Sequence, residues 1–136
     1  MPFVLDASVS LSWFFEDEDS DFARRVLRRL STDTALVPSL WPIEVANVLV
    51  VAERRGRAGT AQVAAAIALS KNLPISVQDA DSELVFGAVL DLARLQGLSA
   101  NDAAYLDLAM REGLPLATQD AAMRAAAEAV GVPLVE

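Results

Sequence analysis

Short apolar runs alternate along this chain with longer segments whose apolar positions recur every three or four residues. Phe3-Val4-Leu5, Ala35-Leu36-Val37, Ile75-Ser76-Val77 and Leu116-Ala117-Thr118 are too short for helices and read as strands. Val132-Pro133-Leu134-Val135 is a candidate fifth strand. Between these runs the spacing predicts helices. One covers Ser8 to about Phe15, and a basic amphipathic one covers Asp21 to Leu30. A strongly apolar helix runs to Arg55, with Pro42 in its first turn, where a missing N–H costs nothing. Ala61 to Leu69 is a second apolar helix. A further helix places Leu84, Val85, Ala88, Val89 and Leu92 on one face. Asn101–Arg111 and Ala121–Val130 complete the set. Gly56 and Gly59 mark a turn, and Gly97 and Gly113 end helices. Glu16–Asp21 reads as a solvated acidic connection.

Strands that alternate with helices predict an α/β fold: a mostly parallel sheet of four to five strands, flanked by helices on both faces. The 136 residues fit one domain, residues 1–136, with no repeat or linker. In such sheets sites form beyond the carboxyl ends of the strands. Asp6 follows the first strand directly and Asp120 closely follows the fourth, so two carboxylates emerge where function is expected.

Composition narrows the chemistry. The chain contains neither cysteine nor histidine. Disulfides, thiolate nucleophiles, Ser/His and Cys/His arrangements and the usual nitrogen and sulfur ligands of zinc or copper are all excluded. What remains is carboxylate, hydroxyl, amide, Arg and a single Lys, a set suited to hard cations such as Mg²⁺ or Mn²⁺. Eleven basic against nineteen acidic residues leave a net charge of −8. That balance argues against a passive nucleic-acid binder, which needs Lys and Arg on phosphates. It argues less against a nuclease, whose bound cations invert the local field. No apolar run approaches the ~18 residues of a membrane span, and the opening Met1–Asp6 lacks the pattern of a signal peptide. A soluble cytoplasmic protein is expected.

Four acids stand out, each with an ordinary structural explanation. Asp6 at a strand end fits a turn or cap. Glu44 sits in an otherwise apolar helix, where an unpaired charge is costly, yet with Asn47 one turn on it could form a solvated stripe. Ser99-x-x-Asp102 fits a capping box, and Asp120 could cap the last helix. Their conjunction is what points to chemistry: metal-assisted phosphodiester hydrolysis needs several carboxylates converging on one point. Asp107, about 140° round an ideal helix from Asp102, is expected at the surface. Arg24, Arg25, Arg28 and Arg29 read as a solvated helix face, and Arg54, Arg55 and Arg57 as cations at a helix end.

Four motifs in order resemble the PIN-domain family, and within it the VapC-type toxins of bacterial toxin–antitoxin pairs. They are Val4-Leu5-Asp6-Ala7-Ser8-Val9 with Trp13-Phe14, then Trp41-Pro42-Ile43-Glu44-Val45-Ala46-Asn47-Val48-Leu49, then Leu98-Ser99-Ala100-Asn101-Asp102-Ala103-Ala104-Tyr105-Leu106, and Leu116-Ala117-Thr118-Gln119-Asp120 with Ala125-Ala126 and Gly131 behind it. The resemblance covers essentially the whole chain. It implies a PIN-like nuclease domain in which Asp6, Glu44, Asp102 and Asp120 are the catalytic, metal-binding acids. Ser8, Asn47 and Thr118 would be supporting polar groups. It further implies Mg²⁺ or Mn²⁺ as cofactor, RNA as substrate, a homodimer and a small cognate antitoxin. Ser12 departs from members that carry lysine there.

Rival readings are a non-catalytic dimeric interaction module on the same fold, a PIN nuclease of RNA maturation rather than toxicity, and a phosphoryl-transfer or receiver domain. The last fits poorly. Asp6-Ala7-Ser8 lacks a second aspartate two residues on, and Lys71 is the only lysine. Leu40–Ala52 and Ala61–Leu69 are apolar on nearly every face, which is more than one side of a small sheet needs and predicts burial between two copies.

Overall fold

A computed structural model describes all 136 residues. Its strands are β1 (Phe3–Leu5), β2 (Ala35–Pro38), β3 (Ile75–Gln78) and β4 (Leu116–Ala117), all parallel, in the order β3-β2-β1-β4. Val4 is the hinge of the register, opposite Leu36 on one side and Leu116 on the other. Phe3, Val4 and Leu5 have no exposed surface. A strand covered on both faces reads as an uninterrupted apolar run, and β1 does.

The helices are α1 (Ala7–Ser12), α2 (Asp21–Arg29), α3 (Trp41–Arg54), α4 (Thr60–Asn72), α5, α6 (Ala100–Glu112) and α7 (Ala121–Val130). Helix α5 runs through Ser82–Leu84, a π-helical turn at Val85–Val89, and Leu90–Gln96. From β1 the chain moves outward to β2 and β3, then returns across the sheet to β4. Right-handed crossovers therefore put α1–α4 on one face and α5–α7 on the other. The direction reverses between β1 and β4, and the carboxyl ends of these two strands open the crevice in which α/β sheets place their sites.

Each element follows from local sequence. Ser20 caps α2 by accepting from the Ala23 N–H at 3.0 Å, and Ser99 caps α6 by accepting from the Asp102 N–H at 3.1 Å. Helix α6 crosses β1 and β2 and buries Ala103, Tyr105, Leu106, Leu108 and Ala109. Gly97, Gly113 and Gly131 end α5, α6 and α7 at positive φ, where a side chain would be strained.

Three expectations are corrected. The fifth strand is reduced to a single parallel bridge, Leu116 to Leu134, because Pro133 has no N–H to extend a ladder; its carbonyl instead accepts from the Leu116 N–H at 2.9 Å. The face expected on α5 is broken: Val89 and Leu92 are buried but Ala88 is exposed, because the wider π turn carries the chain past position 88. Asp107 is buried rather than at the surface. It lies beneath Arg111, one turn on, whose Nε donates to Asp107 Oδ2 at 2.6 Å, so a buried charge is paired. The acidic connection holds one 3₁₀ turn, Glu16–Glu18, anchored by Arg57, which pairs with Asp17 at 3.0 Å and Glu18 at 2.6 Å and lies over the Phe15 ring.

Candidate active site

Asp6 is the first residue after β1 and is almost fully buried. It occupies the N-cap position of α1, yet its side chain makes no capping bond. Oδ2 instead accepts from the Ser8 hydroxyl at 2.8 Å and from the Thr118 hydroxyl at 2.7 Å. Thr118, also fully buried, in turn accepts from the Asp120 N–H at 3.1 Å. The ends of β1 and β4 are thus bonded together through one carboxylate oxygen.

Glu44 comes from the first turn of α3, beyond β2, and is half-buried. Its Oε1 accepts from the hydroxyl of Tyr105, in the core of α6, at 2.7 Å. Asp102 lies in the first turn of α6, half-buried. Asp120 is exposed and caps α7, with Oδ1 accepting from the Ala122 N–H at 2.8 Å. The capping explanation therefore holds for Asp120 and fails for Asp6. At α6 the cap is Ser99, with Asp102 three residues inside.

Of the four acids, Asp6, Glu44 and Asp102 each feel the charge of at least one of the others. Burial raises the Asp6 carboxyl above the ordinary aspartate range; the Thr118 and Ser8 hydroxyls pull it back, and Asp120 adds to the rise. Burial likewise raises Glu44, against the pull of Tyr105 and with the help of Asp6 and Asp102. It raises Asp102, reinforced by Asp6 and Asp120. Burial, then the Glu44 carboxylate, pushes the Tyr105 phenol far above its usual value, so it stays a donor. No three of the acids stand at ligating separation. The donor set nonetheless fits a hard divalent ion. It is all oxygen, and Glu44 and Asp120 each commit one oxygen to the fold and leave the other without a hydrogen bond.

Ser8 and Thr118 both contact Asp6, whereas Asn47 is exposed on α3, makes no side-chain hydrogen bond and borders a shallow pocket with Arg55 and Arg57. Three residues escaped the sequence reading. Tyr105 was visible only as a tyrosine one turn past Asp102. Gln119 donates to Ser12 Oγ at 2.9 Å and accepts from the Ser20 hydroxyl at 2.8 Å, clamping α1 and the start of α2 to the end of β4. Arg124 donates to the Thr118 carbonyl at 3.1 Å. Its position one turn past Asp120 was the available signal. Arg24 and Arg29 are engaged by Asp19 and Asp33 at 3.6 and 2.7 Å, so two of the four α2 arginines are paired within the chain, while Arg25 and Arg28 form no ion pair.

A family model described as the PIN domain matches residues 3–129. The chain belongs to the PIN domain family. PIN domains are generally nucleases, and PIN nucleases generally use divalent metal ions. No curated protein matches the chain. Among solved structures it is similar to PAE2754 from Pyrobaculum aerophilum, with 26% identity and a TM-score of 0.65 over 93% of this chain and 87% of that one. It shares its fold with a chain of VapBC2 from Rickettsia felis, bound to a DNA fragment from their promoter, at 13% identity and a TM-score of 0.69 over 99% and 98%. It does so also with a chain of FitAcB from Neisseria gonorrhoeae, at 17% identity and a TM-score of 0.58 over 100% and 97%.

The raised acids make a prediction about this PIN domain. Folding favours their protonated forms. The stabilisation is fully present below the ordinary values of 3.8 for Asp and 4.5 for Glu, and is lost as pH rises through the raised folded-state values. In EDTA at neutral pH, Asp102→Asn should therefore melt above wild type, with the gap closing as pH falls. Asp120→Asn keeps its cap, whereas Asp120→Ala should lose up to ~2 kcal/mol. Thermal melts across pH check both. An Asp102→Asn variant that melts with wild type at every pH would contradict the coupling.

Proposed function

We propose that this chain is a Mg²⁺- or Mn²⁺-dependent endoribonuclease that hydrolyses RNA phosphodiester bonds, and that it is the toxin of a toxin–antitoxin pair. The observation that supports the reading is that Asp6, Glu44, Asp102 and Asp120 stand around the sheet's switch point near enough for Asp6 to act on Glu44 and Asp102, and for Asp120 to act on Asp6 and Asp102. A bound divalent cation supplies water activation and neutralisation of charge on the reacting phosphate. The protein's part is positioning. Ser8 and Thr118 fix Asp6, the α7 cap fixes Asp120, and Asn47 offers its amide one turn beyond Glu44. A net charge of −8 opposes RNA until cations neutralise this pocket. The toxin role rests on the VapC-like order of motifs and on the fold shared with the VapBC2 and FitAcB chains. A small cognate antitoxin would then be its protein partner. No helix is long and apolar enough to cross a membrane.

The purified chain, freed of any inhibitor, should cleave RNA with Mg²⁺ or Mn²⁺, stop in EDTA, and lose about two orders of magnitude or more of its rate in Asp6→Asn. Cleavage that survives both EDTA and Asp6→Asn refutes the mechanism.

The working unit of this reading is a homodimer. Helix α3 leaves Ile43 and Val50 exposed, α4 buries only Ala66, and the two flank an apolar groove of about 590 Å³ lined by Trp41, Leu49, Val63 and Ile67. A second copy covering this face would bury it symmetrically. Light scattering at tens of micromolar should give twice the chain mass for wild type and the single chain mass for Ile67→Asp. A wild type that stays monomeric contradicts the dimer.

A further inference from the structure

We propose that Tyr105 is a positioning residue of the active site: by donating to Oε1 of Glu44 it holds that carboxylate so that Oε2 is the oxygen offered to a divalent cation. The inference rests on the nuclease reading above and assigns a role to a side chain which that reading leaves unused.

Tyr105 is the chain's only tyrosine, and its side chain has no exposed surface. Phenylalanine would fill the same core space without a polar atom to bury. A phenol is tolerated there only with an acceptor, because an unsatisfied buried hydroxyl destabilises the fold. The acceptor it finds is neither a backbone carbonyl nor a neighbour on its own helix. It is one of the four acids, sixty-one residues away on α3. The bond therefore joins helices that lie on opposite faces of the sheet. Tyr105 is also three residues past Asp102, so both lie on the same side of α6. One rigid helix sets Asp102 directly and Glu44 through the phenol.

Glu44 needs such a tether more than Asp6 or Asp120 does. Asp6 is locked by two hydroxyls and Asp120 by its cap, and both have short side chains. Glutamate has one more rotatable bond than aspartate, and no other side chain donates to Glu44. An outer hydrogen bond that orients a ligating carboxylate typically carries a 10–100-fold effect on metal affinity.

The test is Mn²⁺ binding to the full chain, by calorimetry or by the electron paramagnetic signal of free Mn²⁺. It would be run on wild type, Tyr105→Phe, Glu44→Gln and the double variant, with circular dichroism to establish folding. Tyr105→Phe should bind Mn²⁺ about 10–100-fold more weakly. In the Glu44→Gln background the same change should cost nothing further, a non-additivity that a purely structural role would not produce. Wild-type affinity in Tyr105→Phe overturns the proposal, as does an equal loss with and without Glu44. A wild type that binds no Mn²⁺ overturns the nuclease reading itself and the proposal with it. Should Tyr105→Phe fail to fold, the single tyrosine gives one ¹³Cζ resonance in labelled protein. Mg²⁺ should move that resonance in wild type and not in Glu44→Gln. A resonance that stays still in a wild type saturated with Mg²⁺ overturns the proposal.

Discussion

Everything at the crevice depends on one buried carboxylate. Asp6 stands at the end of the central strand, where burial favours its neutral form and two hydroxyls favour its charged form. Those hydroxyls come from α1 and from the segment after β4, so satisfying Asp6 fixes the strand ends between which the crevice opens. Thr118 passes the constraint on by accepting from the Asp120 N–H, and Arg124 holds the Thr118 carbonyl from the far side. A charge with this little water around it raises Glu44 and Asp102, and Asp120 in turn raises Asp6. The fold thus sets several carboxylates around one crevice, where burial and neighbouring charge disfavour their ionised forms.

The fold was legible because burial and periodicity coincide. Phe3-Val4-Leu5 is apolar throughout because β1 is covered on both faces, and the 3.6-residue spacing of the apolar positions marked the helices that cover it. Asp6 and Glu44, two of the four acids proposed for the site, were legible for a related reason. A charge directly after a strand, or inside an apolar helix, conflicts with local patterning, and such conflicts concentrate at sites. Their partners were not. Tyr105 and Glu44 meet only once α3 and α6 are packed, and sixty-one residues of sequence carry no sign of it. Gln119 reaches Ser12 and Ser20 across about a hundred residues in the same way.

The misread elements share a cause. Periodicity assumes regular geometry, so it could not register the π turn of α5, which displaces Ala88 from the buried face. Angular position on an ideal helix places Asp107 away from Asp102. It says nothing about whether that second face also meets protein, and α6 is enclosed on nearly every side. Arg111, one turn on, is what makes Asp107 tolerable there. Asp120 shows that structural and chemical explanations of one residue need not compete. One of its oxygens caps α7 while its charge acts on Asp6 and Asp102.

The central claim is that these four carboxylates form a divalent-cation site. It is tested most directly by crystals of the protein grown with Mn²⁺, with diffraction recorded at the manganese absorption edge. The account predicts an anomalous peak within about 2.0–2.4 Å of oxygens from Asp6 and at least one of Glu44, Asp102 and Asp120. Peaks only at surface acids such as Asp17 or Glu18, with the four side chains left as they are here, would contradict it.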